Sequence, residues 1–204
     1  MVDGRTSVSR WDATDMARVA VFAALVAALG LPGGFTVAGA VPITAQTLGV
    51  MLAGAVLGPW RGALSITALL ALVAAGLPLL AGGRGGIGVF VGPSAGFLAG
   101  WIVGAFVIGL IVHSGGRKPR PWRTLVGVLV GGIVVVYAFG IPVQSLVTRV
   151  PLPETALMSL AFVPGDVIKA AIATAVVGTL VRTYPRAFRR TWTRPAERAV
   201  APAR

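Results

Sequence analysis

The chain has 204 residues, 56% of them hydrophobic and only 12% charged, with a mean hydropathy of +0.87. Soluble domains carry about 25% charged residues, so the composition excludes a soluble globular protein and leaves room for one compact membrane bundle. The net charge of +12 sits in short clusters between apolar runs, which is a topology signal and not a nucleic-acid surface.

Six apolar runs approach the roughly 20 residues that cross a bilayer: residues 14–31, 42–58, 61–77, 93–113, 122–140 and 164–183. Arg5 and Arg10 precede the first, but its apolar run continues to Leu31 and further spans follow. It therefore reads as a retained helix and not as a secretory signal. Within it Ala20, Ala24 and Ala28 repeat every fourth residue, with Ala23 and Ala27 beside them. Such a stripe permits close helix approach, inside the chain or against a partner.

After "GLPGG" (30–34) the second span opens on "VPITAQTLGV" (41–50), which brings Thr44, Gln46 and Thr47 to one end of the bundle. Hydroxyls and amides there suit either helix-to-helix hydrogen bonding or the wall of a pocket. The third span leads into "AGGRGGIGVFVGPSAG" (81–96). Gly83, Gly85 and Gly88 match G-x-G-x-x-G, yet no βαβ unit surrounds them, which excludes a dinucleotide fingerprint. The glycines suit close backbone approach to a ligand. Arg84, the only cation of that loop, suits an anionic group, water or lipid headgroups. Pro93 and Pro164 are placed to open the fourth and sixth helices, and "GIP" (140–142) to end the fifth. The loops 32–43 and 78–92 are glycine-rich and apolar, an unsuitable face for bulk water, and are expected to fold over the bundle as a lid.

The sixth span begins with "FVPGDVIKAA" (162–171), where Asp166 and Lys169 stand one turn apart in apolar surroundings. A carboxylate suits the start of a helix, whereas an ammonium opposes the dipole there. At i and i+3 the two meet each other or one ligand. Ionisable groups at such depth are costly unless paired or wetted, so the choice is a structural ion pair or a pocket offering an acceptor beside a donor.

Orientation follows from the basic residues. With the N-terminus inside, fifteen of the 18 lysines and arginines are cytoplasmic: Arg5, Arg10, Arg18, Arg61, the four between Arg117 and Arg123, Arg182 and the six beyond it. Only Arg84, Arg149 and Lys169 remain outside or within the span. Both termini are therefore expected in the cytoplasm, with residues 1–13 as a short leading segment, 14–185 as the membrane domain and 186–204 as a basic tail.

Cysteine and asparagine are absent and His113 is the single histidine. That excludes a disulfide framework and a thiolate site, and leaves no zinc or haem ligand set. There is no P-loop motif for ATP hydrolysis. His113 and Asp166 fall at opposite ends, so no catalytic triad forms. These absences disfavour an enzyme, and no cofactor is expected on this chain.

Taken together, "VPITAQTLGVMLAGAVLGPWRGAL", "GLPLLAGGRGGIGVFVGPSAGFLAG" and "FVPGDVIKAAIA" resemble the BioY family, the biotin-binding S components of energy-coupling factor transporters. The resemblance runs from about residue 14 to 185. It implies an all-α bundle of six transmembrane helices with a vitamin pocket near the outer face and a first external loop acting as gate. It also implies delivery of biotin across the cytoplasmic membrane of a prokaryote with a transmembrane coupling protein and two ATP-binding-cassette ATPases. The alanine stripe (Ala20, Ala24, Ala28) resembles the family's docking motif for the coupling protein. Asp166 and Lys169 would complement the ureido ring, or Lys169 the valerate carboxylate, with Gln46, Thr44, Arg84 and Ser94 as further pocket residues. The competing readings are the same fold binding another small vitamin or precursor, and a solitary carrier not coupled to ATPases. The chain departs from the family's usual "GPTGGY" in reading "GPSAGF" (92–97), which loses a phenol at Phe97.

Overall fold

A computed structural model of the chain describes residues 12–35, 41–115 and 118–188. Residues 1–11 of the leading segment, 36–40 of the expected lid loop, 116–117 and most of the basic tail lie outside the described residues, so the readings made of those parts rest on the sequence.

Helix α1 (Ala13–Ala28) starts at Asp12, whose side chain accepts a hydrogen bond from the Asp15 amide at 3.0 Å, and ends in the Gly30–Gly33 turn. A hairpin of two-residue strands follows, β1 (Gly34–Phe35) antiparallel to β2 (Ile43–Thr44). Next come α2 (Gln46–Leu57) and α3 (Pro59–Ala74), joined by Gly58 alone. Gly58 has φ +83° and ψ −178°, a conformation that only glycine adopts without strain, and Pro59 opens the next helix directly. Arg61 on α3 bonds to the buried Asp15 on α1 at 3.1 Å and ties the ends of those helices together.

The central element is α4 (Ala95–His113), against which α2, α3 and the α5–α6 helix all pack. Its glycines make that possible. A Cβ at Gly96 would collide with the Phe139 carbonyl, at Gly104 with the Gly131 carbonyl, and at Gly109 with Pro59. Backbone therefore lies on backbone, as small residues allow between membrane helices. Pro93 precedes this helix and does not open it; Ser94 holds the cap position.

The fifth span differs from expectation. Helix α5 (Pro121–Leu129) continues through a π-helical segment, Val130–Val135, into α6 (Val136–Thr148), a run of 28 residues. "GIP" does not end it: Pro142 lies inside α6. The irregularity falls instead at the π segment, which brings Gly131 against Ile108 of α4 and Gly132 against Met51 of α2. Proline is tolerated in a membrane helix where neighbours satisfy the freed backbone group. The helix ends at Arg149, held at φ +60°.

A further helix that hydropathy does not mark, α7 (Leu152–Ser159), packs on α6. It leads through a 3-10 turn into α8 (Val163–Thr183), the sixth expected span. Pro164 opens α8 as anticipated.

Among the described residues, three helical runs are long and apolar enough to cross a membrane: 95–113, 121–148 and 152–183. Helix α2 is short. Its 12 residues rise about 18 Å, some 12 Å less than a bilayer's hydrocarbon core. The 75–94 loop lies at the start of α2, where Leu79 and Ala81 bond to Gln46. Apolar side chains on the outer helices (Val134 and Leu146 on the fifth, Val167, Ile168 and Ile172 on α8) are exposed, as a lipid-facing surface requires.

Candidate functional site

Above the start of α2 lies a cavity of about 60 Å³, walled by the hairpin, the 75–94 loop, α2, α4, α6 and α8. It is small beside the roughly 300–1,000 Å³ of most ligand pockets, so its walls must part to admit a ligand of that size. All six ligand residues expected from the sequence line it: Thr44, Gln46, Arg84, Ser94, Asp166 and Lys169. So do Phe97, Trp101 and Phe162, which form an apolar wall around the polar groups.

Asp166 and Lys169 form a direct pair, Nζ to Oδ1 2.8 Å, with 6% and 14% of their side chains exposed respectively. Thr47, one of the polar residues that the sequence offers for a pocket wall, and Tyr137, which the sequence does not single out, complete the arrangement. Thr47 accepts from Lys169 Nζ at 2.9 Å and donates to Asp166 Oδ1 at 3.3 Å. Tyr137 donates its phenolic hydrogen to Asp166 Oδ2 at 2.7 Å. Each carboxylate oxygen thus has a donor, and lone pairs remain on both. Tyr137 also meets Phe97 edge-on, with ring centroids 6.2 Å apart. A phenol therefore stands beside the ring of Phe97, itself without one.

Gln46 is fully committed to backbone. Its Nε2 donates to the carbonyls of Val26 (3.2 Å) and Leu79 (3.0 Å), and its Oε1 accepts from the Ala81 amide (3.0 Å). It is 1% exposed and pins the end of α1 and the 75–94 loop to the top of α2. Thr44 Oγ1 accepts from the Gln46 amide at 3.2 Å, so it serves the start of the same helix.

Arg84 lines the cavity and is partly exposed. Its Nη1 donates to Ser94 Oγ at 3.2 Å and its Nε to the Ala81 carbonyl at 3.2 Å. No carboxylate among the described residues pairs with it, and partial burial lowers its pKa from the ordinary value. A half-desolvated guanidinium without a counter-charge suits an incoming anion. The loop glycines shape the loop itself: Gly82, Gly83 and Gly86 have positive φ, and Gly85 lies against the Leu77 carbonyl.

The cavity thus presents two polar groups with no hydrogen bond between them, Asp166–Lys169–Thr47–Tyr137 and Arg84–Ser94. The alanine stripe lies elsewhere. Ala20, Ala24 and Ala28 are exposed on α1 whereas Ala23 is buried, so the stripe faces away from this chain's own core.

Comparison with known proteins places the chain. The BioY family model matches residues 5–186. "Biotin transporter BioY" of Rhodobacter capsulatus is 49% identical over 179 residues, 83% of this chain and 94% of that protein. The protein of the same name from Rhizobium etli is 45% identical, covering 84% of this chain and 95% of that one. A crystal structure of the S-component for biotin from an ECF-type ABC transporter superposes with a TM-score of 0.83 at 32% identity, covering 88% of this chain and 96% of the other. The chain belongs to the BioY family.

Proposed function

We propose that this BioY-family chain is the substrate-binding membrane subunit of a biotin uptake system, with the cavity above α2 as its biotin site. The observation that carries the site is the Asp166–Lys169 pair, set in an apolar, aromatic-walled cavity with Thr47 and Tyr137 bonded to it. Biotin's ureido ring offers two N–H donors and a carbonyl acceptor. Asp166 accepts from the N–H groups and Lys169 donates to the carbonyl, while Phe97, Trp101 and Phe162 cover the apolar body of the ligand. Arg84, with Ser94 beside it, takes the valerate carboxylate. That assignment is favoured over Lys169 because Lys169 already has Asp166 as counter-charge and Arg84 has none. Charge-assisted hydrogen bonds contribute about 1.5–3 kcal/mol each.

Because the cavity is smaller than a bound vitamin, the hairpin bearing Thr44 and the Arg84 loop part to admit it. The exposed Ala20–Ala24–Ala28 stripe docks on a transmembrane coupling protein served by two ATP-binding-cassette ATPases, in the cytoplasmic membrane with both termini inside.

The test is calorimetric titration of biotin into the purified protein, alongside Asp166→Asn and Lys169→Met. Binding at one site that is lost in both variants supports the reading. No binding by the intact protein overturns the biotin assignment, and unchanged binding in both variants overturns the site.

A further inference from the structure

At the other end of the bundle, the turn from α4 to α5 carries a second cavity, of about 250 Å³, lined by Val112, Gly115, Lys118, Arg120 and Arg123. Among the described residues that line it three are cations, and no described carboxylate pairs with any of them. Arg123 is the best fixed. Its guanidinium lies over Gly115, where a Cβ would collide with Nη1, and its Cζ is 5.2 Å from the centroid of the Trp122 ring. Two prolines restrict the turn itself: Pro119 is buried and Pro121 opens α5. Lys118 and Arg120 are exposed and Arg123 is partly buried, and all three line the one concavity.

What adjoins the cavity indicates its occupant. Trp122, Leu125 and Val126, at i, i+3 and i+4, share one face of α5 and are 56%, 40% and 41% exposed. An indole at the rim with an exposed apolar strip leading away from it is the arrangement that receives a lipid. The headgroup phosphate meets the cations, the indole lies at the polar–apolar boundary and the acyl chains follow the strip. A soluble phosphate would use the cations but gain nothing from the strip. We propose that this cavity binds the phosphate headgroup of an anionic phospholipid, anchoring the α4–α5 turn at the membrane face opposite the biotin cavity.

Native mass spectrometry of the purified full chain, titrated with phosphatidylglycerol or phosphatidylcholine, tests this. Retention should favour phosphatidylglycerol and fall roughly thirtyfold in the double variant Arg120→Gln/Arg123→Gln, at about fivefold per cation near a membrane surface. Arg182→Gln, which removes a cation from the exposed end of α8, should retain lipid as the parent does. Gly115→Ala keeps every charge but displaces the Arg123 guanidinium, and should also weaken retention. Thermal melting of each variant reports whether the fold survives, and Gly115→Ala, in a surface turn, stands in should the double variant not fold. Equal losses in Arg182→Gln and the cavity variants would reduce the effect to general charge attraction and overturn the site. Equal retention of the two lipids would overturn it as well. So would full competition by millimolar inorganic phosphate, which would make the occupant a soluble anion. Cavity variants that keep their lipid yet fail to co-purify with partner subunits would make the cavity a protein contact.

Discussion

Tyr137 on α6 and Asp166 on α8 are joined by a 2.7 Å hydrogen bond from the phenol to Oδ2. The bond fixes the carboxylate while Lys169 and Thr47 hold its other oxygen. Tyr137→Phe should therefore leave the fold intact, because the ring and its edge contact with Phe97 remain. It frees the carboxylate to rotate. Biotin affinity should fall about tenfold or more, in line with the 1.5–3 kcal/mol of a hydrogen bond to a charged group. Titration calorimetry checks this, and an unchanged Kd would remove Tyr137 from the site.

The Asp166–Lys169 pair is stabilising only as a pair. Removing one partner leaves a charge in an apolar wall, at a cost of about 3–5 kcal/mol, whereas replacing both is far less damaging. Asp166→Asn and Lys169→Met should each lower Tm clearly, and the double variant should recover most of that loss. Biotin binding should be absent in all three. Recovery of Tm without recovery of binding is the expected signature; binding by the double variant would contradict it.

These residues differ in how far the sequence disclosed them. Asp166 and Lys169 were legible because an apolar run tolerates ionisable groups only where they are paired, wetted or put to use. Tyr137 was not: in "GGIVVVYAFG" a lone tyrosine reads as packing, and only the tertiary arrangement around the cavity brings its hydroxyl to the carboxylate. Gln46 stands out as polar, but its three bonds reach Val26, Leu79 and Ala81, up to 35 positions away, which no local pattern reveals. The fold shows the same division. Hydropathy located six spans, while the length of α2 and the continuation through Pro142 depend on tertiary neighbours: the hairpin and loop above α2, and the helices packed around α6. The salt bridge between Asp15 and Arg61 was hidden for the same reason, since its partners lie on separate helices 46 positions apart.

Gln46→Leu tests the anchorage of the 75–94 loop. The substitution strands two carbonyls and one amide that Gln46 now satisfies, at about 1–3 kcal/mol for each group left dry. Tm should fall, and hydrogen exchange at the amides of Leu79 to Arg84 should accelerate. Unchanged exchange in that loop would show that Gln46 does not hold it.

Arg84→Gln should separate the two polar groups of the cavity. If Arg84 receives a carboxylate, the variant loses its preference for biotin over biotin amide, while Arg84→Lys keeps part of it because a point charge remains. Tyr137→Phe, which acts at the Asp166 end of the cavity, should weaken both ligands alike. Measuring both ligands on each variant therefore assigns the two ends of the vitamin. Undiminished discrimination by Arg84→Gln would hand the carboxylate to Lys169.

Ala24 stands in the middle of the exposed stripe on α1, between Ala20 and Ala28. Ala24 is exposed among the described residues, so Ala24→Leu should leave Tm and biotin affinity as they are. Against a partner helix packed closely on small residues, the added atoms force the backbones apart and forfeit the contact. Ala24→Leu should thus bind biotin normally yet fail to co-purify with the coupling protein and to support ATP-driven uptake. Normal assembly and uptake by Ala24→Leu would mean that the stripe faces lipid and that docking lies on another face of the bundle.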